Sequence, residues 1–521
     1  MEGAEKGIQH LFSDRSGGLI LSDWVAHGLE FIAVSLIILF AVFLLIVVLF
    51  FIIDVSQHKN AVRRNYPVLG RFRYLFIRAG EFFRQYFFAM DREEMPFNRA
   101  EREWVNRAAN NTENTIPFGS TNNLSVPGTP IFVNCPFPTL EVDAVESLPM
   151  EIGGDCRKPY HATSFFNISA MSYGALSIPA IRALSSGAKL AGCWLNTGEG
   201  GLSPYHLEGV CDIVFQIGTA KYGVRDTHAK LSEDKLREIS AHPEVKMFEI
   251  KLSQGAKPGK GGILPGAKVT QEIAKIRGIE AGKDSISPNR HPEIDSVTTL
   301  LDFIAHIREV TGKPVGFKAV VGSGDWLNTL CLEISERGIK SAPDFITIDG
   351  GDGGTGAAPM PLMDNVGLSL REALPMIADI LMRHNLKGRI RLIASGKLIT
   401  PADVAWALCA GADFINSARG YMFALGCIQA MKCNTNLCPT GVTSHNPRFQ
   451  SGLNPQFKSV RVANYCRNIV HEVALIAHAC GVREPRELRR VHVRIVGGER
   501  FSKAMHEPEA SIDPFSVDRN T

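Results

Sequence analysis

The chain beyond residue 160 alternates short apolar runs with longer segments in which apolar residues recur at helical spacing. That spacing predicts helices over 178–192, 295–312, 325–338, 369–386 and 400–412. The apolar runs predict eight strands, at 165–172, 193–198, 213–218, 247–253, 315–321, 345–350, 390–396 and 414–420. Such alternation favours an α/β fold with a closed parallel barrel, the (β/α)8 or TIM barrel. The alternative is a doubly wound sheet, whose usual Gly-rich fingerprint we do not find.

The N-terminal region shows a different pattern. Residues 31–53 carry no charge, and as a helix they span about 34 Å, enough to cross a membrane. A core helix would have a polar face, and a signal peptide would have a shorter apolar run with a basic flank. Basic residues are few before the run (Lys6, Arg15) and frequent after it: Lys59, Arg63, Arg64, Arg71, Arg73, Arg78 and Arg84. This bias predicts a single-pass membrane protein whose catalytic domain is cytoplasmic.

These patterns divide the chain into six segments. The first three are a short non-cytoplasmic N-terminus (1–30), a transmembrane helix (31–53) and a basic, aromatic juxtamembrane segment (54–92). Within the third, residues 71–88 predict an amphipathic helix at the bilayer interface, with packing under the catalytic domain as the alternative. The other three are a lead-in segment that packs on the barrel (93–160), the barrel itself (161–480) and a C-terminal tail (481–521).

Composition narrows the class of protein. Hydrophobic residues make up 45% and charged residues 21% of the 521 positions, which excludes wholesale disorder and a multi-span membrane architecture. The net charge is only +3, and one local basic cluster does not amount to a basic stripe, so nucleic acid is not predicted as a partner.

Glycines gather after the predicted strands, where the active site of a barrel lies. The loops after strands 7 and 8 are the usual phosphate position in barrels. Their backbone N–H groups and a cation, Lys397 or Arg419, could hold a phosphate, with ordinary turns as the alternative. The candidate phosphate-binding residues are Ser395, Gly396, Lys397, Ser417, Arg419 and Gly420.

Several charged residues are candidates for chemistry. Lys318 lies inside an apolar strand, so we expect its side chain at the barrel mouth, either against a flavin ring or paired with a carboxylate. The loop 255–268 is rich in Gly and suits a mobile lid that binds an anionic substrate. Its lysines are Lys257, Lys260 and Lys268, and solvated turn lysines are the alternative. Glu199 and Asp352 are candidate acid–base or positioning carboxylates.

Three of the eleven cysteines, Cys427, Cys433 and Cys438, fall within twelve residues. Three thiolates without a fourth suit a three-iron cluster. Zinc with His445 as a fourth ligand is one alternative, and three inert thiols are another. The remaining cysteines are read as small buried apolar residues.

Taken together, these segments resemble the FMN-binding synthase domain of glutamate synthases. The matching blocks are ISAMSYGALS, NTGEGG, QIGTAKYG, KLSQGAKPGKGG with LPGAKV, ISPNRHPEI, DGGDGGTGAAP and the cysteine segment that ends in CNTNLCPTGV, in family order across about residues 95–480. PFGST (117–121) and the WVNRAANN stretch before it resemble the preface of stand-alone members.

The resemblance implies an FMN in the barrel and a [3Fe-4S] cluster on Cys427, Cys433 and Cys438. Lys318 would face the flavin ring, and Glu199 would lie between flavin and electron donor. Lys257 would hold a substrate carboxylate. The implied catalytic residues are Lys318, Lys257 and Glu199. The other implied cofactor-binding residues are Ala170, Ser172, Gly174, Gln216, Gly353 and Gly354, and the other implied substrate-binding residues are Lys260 and His291.

The implied activity is an oxidoreductase reaction of amino-acid biosynthesis. Ammonia condenses with 2-oxoglutarate to 2-iminoglutarate, which accepts hydride from reduced FMN to give L-glutamate. Neither a glutaminase domain nor a pyridine-nucleotide fold is expected, since Glu2 follows Met1 and the membrane span comes next. Ammonia would come from solution or a partner, and electrons from a ferredoxin-like protein or a membrane redox protein.

Ile263 replaces the Gln of the family's GGQLPG segment, a residue that helps to bind the oxo acid. An FMN and iron–sulfur oxidoreductase acting on another oxo, imino or hydroxy acid is therefore the second hypothesis. A non-catalytic redox subunit that tethers partners to the membrane is the third.

Overall fold

The computed structural model describes residues 15–57, 61–83, 87–497 and 502–504. The chain divides into two compact units, Met1–Asn98 and Arg99–Thr521. Residues 1–14 of the predicted N-terminal segment and most of the predicted tail lie outside the described residues.

The first unit contains one long helix, Arg15–Ser56, in which the predicted span 31–53 is confirmed as helical. The stretch His27–Ser56 is long and apolar enough to cross a membrane, and no side chain of its most apolar 18-residue window is buried inside the protein. Two helices follow, Ala61–Asn65 and Leu69–Phe83. The second corresponds to the predicted amphipathic helix, of which residues 84–86 lie outside the described part of the chain.

A fully buried carboxylate, Asp54, stands at the end of the apolar helix. It accepts hydrogen bonds from Arg63 Nη2 at 2.6 Å, from Arg71 Nε at 2.8 Å and from the backbone N–H of Val68 at 3.1 Å. The Arg71 guanidinium also lies 4.0 Å above the ring of Phe50. Two cations and one N–H group therefore compensate the charge of Asp54 and tie the following turn to the end of the long helix.

The second unit is built on a closed eight-stranded parallel barrel, as predicted. The second strand is reduced to two residues, because the chain turns into the Gly198–Gly200 segment soon after it. In chain order the strands are β1 (Phe166–Ile168), β2 (Leu195–Asn196), β3 (Ile213–Ile217), β4 (Val245–Lys251), β5 (Val315–Ala319), β6 (Phe345–Asp349), β7 (Arg391–Ser395) and β8 (Phe414–Ser417).

Helices lie between the strands, where the helical spacing predicts them. The N-terminus of helix Pro401–Cys409 is capped as its sequence suggests, because the Thr400 side chain accepts a hydrogen bond from the Asp403 N–H. The helices of the barrel and its connections are Ile178–Ala191, Pro204–Leu207, Glu233–Ala241, Gln271–Arg277, Val297–Thr311, Asp325–Arg337, Met360–Asn365, Leu370–Arg383, Pro401–Cys409, Arg419–Leu425, Pro447–Gln450 and Pro455–Ala479.

Helix Pro455–Ala479 packs along Ile178–Ala191 and along Arg99–Ala109 of the lead-in segment. The packing on Ile178–Ala191 is close at Gly187, where a Cβ atom would lie 2.4 Å from Cγ1 of Val462. Short antiparallel sheets complete the unit. They pair Pro130–Phe132 with Val493–Val496 and then Ser502–Ala504, Met150–Ile152 with Tyr160–Ala162, and Ile263–Leu264 with Ser285–Ile286.

A buried carboxylate ties the base of the barrel together. Asp344 is fully buried and accepts hydrogen bonds from Arg308 Nε and Arg389 Nη2, each at 3.0 Å, and from the Val315 N–H at 2.8 Å. Asp344→Ala leaves both guanidinium groups without this partner, so we expect a loss of about 3–5 kcal/mol of folding free energy. Thermal unfolding of the detergent-purified chain measures this as a lowered Tm.

The matched control is Asp302→Ala, which removes a carboxylate that is 63% exposed and pairs with Arg337 at 2.6 Å. Because exposed ion pairs are worth about 0–1 kcal/mol, its Tm should stay close to that of the unaltered chain. Equal effects of the two substitutions would contradict the role given to Asp344.

Candidate active site at the barrel mouth

An open pocket with a cavity volume of about 150 Å³ lies at the carboxyl ends of the strands. Its wall contains one acidic side chain, Glu199, and six basic ones: Lys251, Lys257, Lys268, Arg277, Lys318 and Arg419. This excess of cations in a concave site favours anionic ligands.

The structure brings together many of the residues that the sequence indicates. Those that line the pocket are Ala170, Ser172, Glu199, Gln216, Lys257, Lys318, Gly354, Arg419 and Cys433. The predicted residues outside its wall are Gly174, Lys260, His291, Gly353, Ser395, Gly396, Lys397, Ser417, Gly420, Cys427 and Cys438.

Lys318 of β5 lies at the barrel mouth, as expected from its place in an apolar strand. Its Nζ is 3.1 Å from Oδ2 of Asp349, so the expected carboxylate partner is present as well. Asp349 also accepts hydrogen bonds from the Gly255 N–H and the Ser395 hydroxyl, both at 2.9 Å. Burial opposes the charge of Lys318, but Asp349 and the nearby Glu249 raise its pKa above the ordinary value. Lys318 is therefore a fixed cation.

Glu249 is a buried carboxylate that the sequence reading missed, because it lies within the apolar run of β4. It accepts hydrogen bonds from Gln216 Nε2 at 2.7 Å, Asn196 Nδ2 at 2.8 Å and Thr347 Oγ1 at 2.6 Å. Three strands thus direct polar side chains to one point beneath the pocket. A charged residue within a buried strand, as with Lys318, is the signal that could have identified it.

Glu199 and two lysines form the polar centre of the pocket. Glu199 Oε2 lies 3.0 Å from Lys251 Nζ. Burial would raise the pKa of Glu199, but Lys251 and Lys257 outweigh this effect and hold it below the ordinary value. Lys251 occupies the end of β4 and pairs in register with Lys318. We did not single out Lys251 from the sequence, although it also ends an apolar strand.

Arg277 is the second cation that the sequence reading missed, and no local pattern marks it. It is the last residue of helix Gln271–Arg277 and is buried against the pocket. Its Nη2 donates to the carbonyl of Tyr173 at 3.2 Å and its Nη1 to the Ser285 hydroxyl at 3.3 Å. Its Nε is buried and has no hydrogen-bond partner among the described residues, which leaves a donor for an anionic ligand.

Lys257 is buried in the pocket wall, in contrast to a solvated turn lysine. Burial, followed by the charge of Lys251, lowers its pKa to about 8, while Glu199 acts in the opposite direction. Its ammonium form therefore predominates below pH 8 and is lost as the pH rises above that value.

If the pocket binds the oxo acid that the resemblance implies, this titration should appear in its binding. Because a carboxylate pairs with the ammonium form only, KM for the oxo acid should be constant below pH 8 and rise toward tenfold per pH unit above it. Steady-state KM from pH 6.5 to 9.5 at saturating ammonia measures this. Lys257→Arg keeps its charge throughout and should flatten the profile, whereas an unchanged profile in that variant would contradict the assignment.

The loop 255–268 is folded rather than open. Its strand Ile263–Leu264 pairs with Ser285–Ile286, and Lys268 is buried, so the solvated-lysine alternative is wrong for Lys257 and Lys268. It is right for Lys260, which is exposed and outside the pocket wall.

Two further candidates lie away from the pocket wall. His291 is buried, its Nε2 donates to the Lys251 carbonyl at 3.1 Å, and burial lowers its pKa to about 4. It is therefore a neutral residue that supports Lys251 from behind. Asp352 accepts a hydrogen bond from the Leu370 N–H at 3.2 Å and lies 3.7 Å from Lys397, so it caps a helix and pairs with that lysine.

The end of β8 has the features of a phosphate cradle. The Ser417 hydroxyl is buried and has no hydrogen-bond partner among the described residues. Only glycine fits at Gly420, because a Cβ atom there would overlap the Tyr465 hydroxyl. Arg419 lines the pocket and adds a cation, whereas Lys397 after β7 is paired with Asp352.

One of the three clustered cysteines reaches the pocket. Cys433 lines its wall, Cys438 is buried, and burial raises the pKa of Cys427 to about 11, with Cys433 and Cys438 near enough to add to the effect. For Cys438, hydrogen bonds from Thr440 and Thr443 outweigh burial and lower the pKa. Non-glycine residues Gln429, Met431 and Asn436 of this loop have left-handed backbones, a strain typical of functional loops.

The described residues do not bring the clustered cysteines and His445 together as a metal-binding group. His445 is not grouped with the cysteines, because its Nε2 donates to the Gly174 carbonyl at 2.8 Å. Within residues 15–57, 61–83, 87–497 and 502–504, no group of three or more His, Cys, Asp or Glu side chains is arranged to hold a metal ion.

Comparisons with known proteins confirm the resemblance seen in the sequence. The family model described as the conserved region in glutamate synthase matches residues 130–483. The glutamate synthase large subunit-like protein YerD of Bacillus subtilis is 39% identical over 482 residues, which cover 85% of this chain and 91% of YerD. The archaeal glutamate synthase of Methanocaldococcus jannaschii is 36% identical over 333 residues, 63% of this chain and 61% of that protein.

The archaeal-type glutamate synthase of Thermotoga maritima is 34% identical, and the match covers 62% of this chain and 60% of that protein. This chain thus matches less than two thirds of the length of the archaeal-type relatives. A solved mandelate oxidase structure with an FMN adduct covers 76% of this chain, with a TM-score of 0.41 and 15% identity. The family model and the match along most of YerD show that this chain belongs to the glutamate synthase family of oxidoreductases.

Proposed function

We propose that this chain is a membrane-anchored, glutamate synthase-like oxidoreductase that uses FMN and a [3Fe-4S] cluster to form L-glutamate from 2-oxoglutarate and ammonia. The observation that carries the proposal is the pocket at the barrel mouth, where six basic side chains and one carboxylate meet a cysteine of the clustered trio. The membership of this chain in the glutamate synthase family gives the reaction class.

FMN, when bound, would supply hydride transfer to the substrate carbon. The residues that would hold it are Ser417, Arg419 and Gly420 at the phosphate and Lys318 at the ring. The buried hydroxyl of Ser417 supports the first assignment. The raised pKa of Lys318 supports the second, since a fixed cation stabilises a ring that gains negative charge.

The oxo acid has two carboxylates, and the pocket offers separate cations for them. Lys257 and Arg277 lie in the wall and form no ion pair with the residues that the structure describes, whereas Lys251 is paired with Glu199. We assign Lys257 and Arg277 to the substrate carboxylates. Glu199 stays ionised because its pKa is lowered, so it can take a proton from the nitrogen once this has added to the carbonyl carbon and return it to the hydroxyl that leaves as water.

Two electrons and two protons convert the C=NH group of the imino acid to the CH–NH2 group of the amino acid, with one hydrogen added to carbon and one to nitrogen. We propose that the electrons come from a ferredoxin-like protein or a membrane redox protein and enter through the cluster on Cys427, Cys433 and Cys438. Cys433 supports this route, because it lines the same pocket as Ala170 and Ser172, which would border the flavin.

We place the protein in a membrane, with one span in the helix Arg15–Ser56 and the barrel in the cytoplasm. The length and apolar character of His27–Ser56 support the span. The basic residues after it, among them Arg63 and Arg71 at Asp54, support the orientation.

Ile263 favours a second candidate, an oxidoreductase of the same fold that acts on a different oxo, imino or hydroxy acid. Its side chain is 41% exposed and lines the pocket, where it offers an apolar surface and no hydrogen bond. An Ile263→Gln variant separates the two. If an apolar oxo acid is the substrate, this variant should lose activity on it and gain activity on 2-oxoglutarate.

The main test uses the anaerobically purified full chain in detergent. We expect the absorption of a flavin with a broad iron–sulfur shoulder, and glutamate formation from 2-oxoglutarate and ammonia with a reduced low-potential donor. A folded but colourless protein would contradict both cofactors. A coloured protein that forms no glutamate but reduces another oxo acid would favour the second candidate.

A further inference from the structure

Lys268 is a buried cation beside the clustered cysteines. Its side chain is 2% exposed, and its Nζ donates to the backbone carbonyls of Ala175 at 2.8 Å and Cys433 at 3.2 Å. Among the described residues, the ionisable side chains near enough for their charge to act on Lys268 are Cys433, Cys438 and Arg277. A buried ammonium group needs a counter-charge, and of these neighbours only the two thiols can supply one.

The composition of the surrounding segment agrees with this. No Asp or Glu occurs between Asp413 and Glu472, whereas the same stretch carries the basic residues Arg419, Lys432, Arg448, Lys458, Arg461 and Arg467. The cysteine loop therefore has no carboxylate of its own that could compensate Lys268.

The turn that carries Lys268 is docked onto the cysteine loop at two points. Besides the contact of Lys268 with the Cys433 carbonyl, Asn436 Nδ2 donates to the Ala267 carbonyl at 3.4 Å. The same turn, Gly266–Lys268, directly follows the strand Ile263–Leu264, which lines the pocket. The position of the Lys268 ammonium group is thus fixed by the cysteine loop on one side and by the strand Ile263–Leu264 on the other.

We propose that Lys268 is a positioning residue that serves as the counter-ion of the iron–sulfur cluster and raises its reduction potential. This rests on the cluster assigned above to Cys427, Cys433 and Cys438. Three thiolates around such a cluster carry net negative charge. One electron from the reduced donor protein adds one more, without a bond formed or broken, and a nearby buried cation favours that reduced form.

The test is an anaerobic redox titration of the full-length holoprotein, followed by electron paramagnetic resonance of the cluster. Lys268→Met should lower the equilibrium constant for reduction of the cluster at least tenfold. For one electron this moves the midpoint potential at least 59 mV more negative. Lys268→Arg keeps the charge and should stay near the unaltered protein. Lys260→Met, an exposed lysine of the same loop, is the matched control and should not change the potential.

Each outcome separates this inference from the proposed function. An iron-containing Lys268→Met protein with an unchanged potential overturns the inference alone. If Lys268→Met lacks iron, retention of iron in Lys268→Arg supports the counter-ion role, whereas loss in both variants shows a packing role and overturns it. An unaltered protein without iron overturns the cluster assignment and this inference together.

Discussion

Lys257→Met should lower kcat/KM for 2-oxoglutarate by roughly 100-fold. The side chain is buried in the pocket wall, so its ammonium group would meet the substrate carboxylate away from bulk water. A hydrogen bond between charged groups in such a site is worth about 1.5–3 kcal/mol, and the loss should fall mainly on KM, because the contact exists before and during the reaction. Initial rates at several oxo-acid concentrations measure the two parameters separately.

Lys260→Met is the matched control for this prediction. Lys260 lies three residues further along the same loop, but it is exposed and outside the pocket wall. Its loss should therefore leave KM within about twofold, since an exposed charge contributes little to binding. Equal effects of the two substitutions would mean that the loop attracts the substrate by its overall charge. A non-catalytic redox subunit would show no dependence on Lys257 at all.

The barrel could be predicted from the sequence because its strands are buried on both sides. Each then reads as a continuous apolar run, such as that of β6 (Phe345–Asp349), whose five residues are all buried. Strand β2 is harder to define, because only Leu195 and Asn196 pair before the chain turns. Its apolar run indicated the strand, but not how early it ends.

The site was predictable where a residue breaks a local pattern. Lys318 is recognisable as a charge inside an apolar strand, and Cys433 as a member of a dense cysteine group. Arg277 has no such mark, because it ends an ordinary amphipathic helix and enters the pocket only through the path of the loop before it. His291 is the opposite case. It is conspicuous in a matching block and was expected to bind substrate, but it supports the backbone of Lys251 from behind the pocket wall.

Cys433→Ser should remove the iron from the protein while the flavin stays bound. The rate of donor-dependent glutamate formation should fall at least 100-fold. A serine hydroxyl is not ionised at neutral pH, so one of the three thiolates that would hold the cluster is replaced by a neutral group. The flavin would rest on Lys318, Ser417 and Arg419, which do not depend on Cys433. Iron content should fall from about three atoms per chain toward zero at unchanged flavin content.

Cys135→Ser provides the comparison for Cys433→Ser. Cys135 is also a partly exposed free thiol, but it lies outside the cysteine loop, and its Sγ donates to the Phe137 carbonyl at 3.3 Å. Iron and turnover should both be retained, because a hydroxyl can make the same hydrogen bond. If Cys433→Ser lost iron but kept full turnover, electrons would have to reach the flavin directly from the donor. The cluster would then lie outside the electron route to the flavin, and the role given to Lys268 as its counter-ion would be decided by the redox titration alone.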